Sequence, residues 1–140
     1  MSYPKQLNRE DYFQCPTWWA DEPKFVNKLN KASEPYIKQS KKRMKKQIDS
    51  RNKKFGNKGS MGHVFHSTSL IGDPKFKDLQ NYVGATAHNL LNEMGFDLKD
   101  YTVFVTEMWV QEFAKEGAGY HSLHTHWNGH ISGFYFLKAS

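Results

Sequence analysis

Cysteine is nearly absent from this 140-residue chain, with Cys15 the single example. An internal disulfide cannot form, and a zinc cage built on thiolates is excluded. Long apolar runs are missing as well. None approaches the roughly 20 residues of a membrane span, and the N-terminus lacks the basic start and apolar core of a secretory signal. The expectation is a cytoplasmic chain with no membrane partner. Acidic residues are the scarcer charge, 14 against 20 Lys and Arg, for a net charge of +6. That excess is local. Residues 38–58 hold ten Lys or Arg, Lys38 first and Lys58 last, against one acid, Asp49. The remaining chain carries 10 basic and 13 acidic residues, a net of −3. A uniformly cationic surface is therefore excluded, and one basic segment remains. Such a run is most often a solvated helix face; a phosphate backbone or an anionic substrate is the alternative.

Aromatic residues, by contrast, are plentiful, with four Trp, seven Tyr and ten Phe. With 38% hydrophobic and 24% charged residues, the composition is that of a globular chain, and 140 residues suit one domain with a modest core. FQCPTWWADE reads as an extended segment interrupted by Pro16. The stretch EPKFVNKLNKASEPYIKQSKKRMKKQIDS is helix-like but interrupted near Pro35, and RNKKFGNKGSMGH reads as a loop. GDPKFKDLQNYVGATAHNLLNEMGF is the clearest helix. Asp73 can cap it, Pro74 fits its first position, and Gly95 suits its end. Phe76, Leu79, Val83, Ala87, Leu90 and Leu91 recur on one face. YTVFVTEMWVQEF and ISGFYFL, rich in β-branched and aromatic residues, read as strands.

Four of the seven histidines, His121, His124, His126 and His130, lie within GYHSLHTHWNGH. If Leu123 to Trp127 is a strand, the period of two sends His124 and His126 to one face, where both could reach one ion. Asn128-Gly129 is a strong hairpin signal, and a tight hairpin there would pair His126 with Ile131 and His124 with Gly133. Two neutral imidazoles would leave several positions of a six-coordinate ion open, as a catalytic metal requires. An H-x-H pair by itself is a short motif, and most such pairs bind nothing. His63 and His66 fall in a loop by this reading and receive no ligand role.

The stretch WVQEFAKEGAGYHSLHTH, beginning at Trp109, and the following ISGFYFL resemble a 2-oxoglutarate/Fe(II)-dependent oxygenase family of bacteria and tailed phages. The family pattern is a strand with Trp, a Gly-containing loop, H-x-H and then S-G-x-Y-Y. Phe136 replaces the last Tyr, and Trp127 stands where members commonly carry Pro. FQCPTWW and GHVFHSTSLIGDPKFKDLQNYV are similar to earlier parts of the same pattern. The resemblance implies an α+β fold: a partial double-stranded β-helix (jelly roll, cupin-like) with N-terminal flanking helices. It implies His124 as the first ligand of Fe(II) and places His126 where a carboxylate usually stands. Under it, 2-oxoglutarate is the co-substrate, and Tyr135 either donates a hydrogen bond to it or packs in the barrel wall. The substrate would be a small molecule or a peptide. The family's distal His and its 2-oxoglutarate-binding Arg have no counterpart here. Residues 1–140 are therefore expected to form one domain, the N-terminal part of a longer oxygenase domain whose C-terminal strands are missing, inactive by itself. Two other readings stand beside this one: a nucleic-acid-binding module acting through residues 38–58, and a structural jelly-roll protein whose histidines only pack.

Overall fold

The computed structural model describes residues 16–127 and 129–139. Cys15 and Asn128, and with Asn128 half of the expected hairpin signal, lie outside the described residues. Glu22 opens the first helical region by accepting a hydrogen bond from the Lys24 amide. A 3-10 turn, Pro23–Phe25, runs into helix α1, Val26–Phe55. Its buried positions are Leu29, Ala32, Ser33, Ile37, Ser40 and Ile48. Their three- and four-residue spacing makes one inward stripe. Pro35 does not interrupt α1. It lies exposed, and buried residues on both sides of it keep the helix in register despite one lost backbone bond. Gly56, with φ of 69°, ends the helix and donates its N–H to the Asn52 carbonyl at 2.8 Å.

Asp73 caps the second helical region as expected, accepting from the Lys75 amide at 2.9 Å. A 3-10 turn, Pro74–Phe76, precedes helix α2, Lys77–Glu93. Phe76, Leu79 and Leu91 are buried, whereas Val83 is exposed. The Tyr36 hydroxyl donates to the Asp73 carboxylate and ties α1 to the start of α2. The core joins Phe25, Leu29, Ala32, Leu70, Phe76 and Leu79, with Tyr82, Met108, Val110, Tyr135 and Leu137 packed against it. Each fully buried Leu or Phe contributes about 1.5–3 kcal/mol.

The sheet corrects the expected architecture. Among the described residues it has two strands, β1, Val64–His66, and β2, Gln111–Phe113, paired antiparallel. The chain is α+β, but it is not a double-stranded β-helix, which needs eight strands in two sheets. Of the strand expected from Tyr101 to Phe113, only the last three residues pair. ISGFYFL forms no ladder, so the pairings His126 with Ile131 and His124 with Gly133 are not made. The Gly129 amide instead points to the His126 carbonyl at 3.4 Å. The physical reason is that alternation reports two faces of a segment and says nothing of a hydrogen-bonding neighbour. Residues 102–106, 107–110 and 134–137 do alternate between exposed and half-buried positions. Beyond the ladder, the Ser67 amide bonds the Val110 carbonyl and the Leu70 amide the Met108 carbonyl, each at 2.9 Å.

Candidate metal-binding face

The β1–β2 register divides the sheet chemically. Val64 opposes Phe113, Phe65 opposes Glu112, and His66 opposes Gln111. Directly opposed residues share a face. Phe65 is 2% exposed, and Glu112 pairs with Lys41 of α1 at 2.5 Å, so this face is turned to the helix. Val64, His66, Gln111 and Phe113 therefore form the other face, and period two adds Trp109.

The histidine segment lies over that second face. Gly117 and Ala118 have φ of 79° and 60°, a left-handed pair that turns the chain back. Gly119 then passes so close that a Cβ there would come within 3.0 Å of the His63 carbonyl and of the Phe113 ring. Two residues on, His121 sets its ring edge-on to Phe113, 5.7 Å between centroids, and edge-on to His66 at 5.1 Å. His124 follows at 5.9 Å from His121, and His126 at 5.1 Å from His124. His126 stacks on Trp109 at 6.1 Å, and Trp109 returns to His66 at 6.2 Å. Trp109 and four imidazoles thus close a circuit of neighbouring rings.

The separation of His124 and His126 is of the size that shared coordination requires. Two imidazoles on one ion, with nitrogen–metal bonds of about 2.1 Å, hold their centroids about 4.5–5.5 Å apart. His124 Nδ1 lies 2.7 Å from the Ser122 carbonyl. A carbonyl only accepts, so Nδ1 carries the proton and Nε2 keeps its lone pair. His121 Nε2 likewise meets Gln111 Oε1 at 2.9 Å, which leaves Nδ1 as the free lone pair. His124 and His126 are both exposed. Burial, and then the neighbouring His121, lower the pKa of half-buried His66 from its ordinary 6.5. Among the described residues, no three His, Cys, Asp or Glu side chains converge to hold an ion. The imidazoles meet in pairs.

The other site residues lie elsewhere. Tyr135 packs edge-on to Phe25 at 6.2 Å, and its hydroxyl donates to the Glu22 carbonyl. That hydroxyl is already used in the helical core. His130 stands edge-on to Phe96 at 5.7 Å. His66 and Gln111, which carry much of the face, received no role from the sequence. Period two in WVQEF puts Trp109, Gln111 and Phe113 together, and the same rule in VFH puts His66 on the face away from Phe65. What the sequence does not display is that two segments 45 residues apart pair.

On the helix side, a cleft of about 340 Å³ is lined by Lys41, Lys45, Phe65, Glu112 and Glu116 among others. Its charges largely satisfy one another: Lys41 with Glu112, Lys45 with Asp49 at 2.6 Å, and Glu116 with the Ser60 hydroxyl at 2.8 Å. Lys38, Lys42, Lys46 and Lys53 of α1 remain as an exposed stripe. No helix among the described residues is long and apolar enough to cross a membrane. No family model, curated protein or solved structure matches the chain.

Proposed function

We propose that the chain binds a divalent transition metal through His124 and His126, and that, in line with the family resemblance of its histidine segment, this metal is Fe(II) serving a 2-oxoglutarate-dependent oxidation. The observation that carries the reading is the 5.1 Å approach of two exposed imidazoles, one with its tautomer pinned by Ser122. Imidazole suits first-row metals, and two nitrogen ligands leave four positions of an octahedral ion for co-substrate, oxygen and a further ligand. When bound, the ion supplies Lewis-acid and redox chemistry toward 2-oxoglutarate and oxygen. The protein's part is orientation. Ser122 holds His124 with Nε2 available, and Trp109 braces the His126 ring by stacking. Tyr135 has no part in this reading, since Glu22 already takes its hydroxyl. The substrate class is a small molecule or peptide able to reach an open face.

Anaerobic titration with Fe(II) and 2-oxoglutarate tests the reading. A visible charge-transfer band is expected on adding both, with loss of the band in H124A and in H126A. A chain that takes up no Fe(II), or one whose band survives both substitutions, defeats the proposal.

A second reading rests on α1. Lys38, Lys42 and Lys46 are four residues apart, and Lys53 continues the stripe. Four residues of helix rise about 6 Å, a spacing suited to successive phosphates of a single strand. Neutralising four phosphates gives a slope of log K against log salt of about −3. Anisotropy titrations of a labelled single-stranded oligonucleotide across a salt series measure it. A slope near zero, or one unchanged when the four lysines become Gln, removes this reading.

A further inference from the structure

We infer a second transition-metal site beside the H-x-H pair, formed by His66 and His121. Their ring centroids stand 5.1 Å apart, equal to the separation within the H-x-H pair and inside the range that two imidazoles on one ion adopt. The pair is assembled from distant sequence: His66 ends β1, and His121 is delivered by the close passage of Gly119 over β1 and β2. Such a pairing is held by tertiary structure, so it is in place before any ion arrives.

The tautomers suit the role. His121 donates Nε2–H to Gln111 Oε1 at 2.9 Å, and its Nδ1 lone pair is left for a metal. An acceptor behind a ligating imidazole orients the ring and raises its basicity. Gln111 is thus a positioning residue, and it can act as one because the ladder sets it directly opposite His66. Neither ring nitrogen of His66 makes a hydrogen bond among the described residues. Trp109 flanks the pair at His66 and Phe113 at His121. The ligand class is a divalent ion with a taste for imidazole, such as Zn(II), Ni(II) or Cu(II). The inference does not rest on the function proposed for His124 and His126, because it uses different rings.

Zn(II) is the probe that tests it, in calorimetric titrations of the full chain and in imidazole nitrogen–proton correlation spectra. Wild type is expected to take two equivalents. H66Q and H121Q should each remove one equivalent and spare the other, while H124Q and H126Q remove the second. In the wild-type spectra the resonances of His66 and His121 should move together, with His121 responding at Nδ1. Q111L should weaken that equivalent and shift His121 between tautomers, a change that loss of packing alone does not make. An H66Q stoichiometry equal to wild type, or loss of both equivalents in H66Q, overturns the second site. Loss of one equivalent in H66Q, with no change in H124Q and H126Q, sinks the H-x-H proposal and leaves this one standing. The wild-type spectra decide the matter even if a variant fails to fold.

Discussion

Single residues reveal where this chain is under tension. Ser40 is 1% exposed and its hydroxyl has no partner among the described residues; the same holds for the Ser33 hydroxyl at 5%. An unsatisfied buried hydroxyl costs about 1–3 kcal/mol, and Ala fits the same helix positions with a better propensity. Ser40→Ala is therefore expected to stabilise the fold by about 1 kcal/mol, read as a rise in the urea midpoint; a loss of similar size would show that the hydroxyl has a partner. His63 makes a related point. Its Nε2 is buried with no partner among the described residues, and its ring stacks on Phe65. Burial first, and the nearby Arg51 second, hold its pKa below the ordinary 6.5. The unfolded chain then binds more protons as the pH falls, so this contribution to stability is complete above about 6.5 and declines below it. His66 is shifted in the same direction. Chemical denaturation between pH 8 and pH 5 should show stability falling on the acid side, and His63→Phe should flatten part of that fall. An unchanged profile in the variant would assign the whole slope to other groups.

At the scale of elements, the helices were legible and the sheet was not. α2 could be read from local chemistry because Asp73, Pro74 and Gly95 mark its ends and its apolar residues recur within a few positions. α1 was legible except at its end, where residues 51–55, expected as loop, are helical, and at Pro35, where a local rule predicts a break and packing on both sides overrides it. That override has a measurable cost. Proline inside a helix is about 3 kcal/mol worse than Ala, part of it through the missing N–H. Pro35 is exposed, so Pro35→Ala should restore one backbone bond without disturbing the core and stabilise α1 by about 1–3 kcal/mol, seen as a higher melting temperature. A lower one would mean that the chain needs the bend that proline imposes. β1 stayed hidden for the opposite reason. Three residues, Val64–His66, carry too little pattern to announce a strand, and their partner is 45 positions away. The site was legible to the same degree: H-x-H is visible as a spacing, whereas His66 and Gln111 join it only through that long-range pairing.

Over the whole molecule, alternation separates residues that hold the fold together from residues that do not. In 131–137 the half-buried positions are Ile131, Tyr135 and Leu137. Tyr135 and Leu137 pack on the core cluster, and the Leu137 carbonyl accepts from the Asn30 side chain at 3.0 Å. Phe134 and Phe136 point the other way, 80% and 82% exposed, with their rings stacked at 6.4 Å. Phe104 at 72% and Trp127 at 91% add to the exposed apolar surface. Apolar side chains left in water contribute almost nothing to stability, because burial is what makes them stabilising. They do promote association and dye binding when they are contiguous. Two consequences follow from one pattern. Leu137→Ala should cost about 1–3 kcal/mol through lost burial, whereas the double variant Phe134→Ser, Phe136→Ser should leave the melting temperature within a degree or two. The same double variant should reduce fluorescence of an apolar-surface dye and shift sedimentation toward the monomer. If it instead melts as early as the Leu137 variant, then Phe134 and Phe136 are packed in solution and the exposed face belongs to a more closed arrangement of the chain.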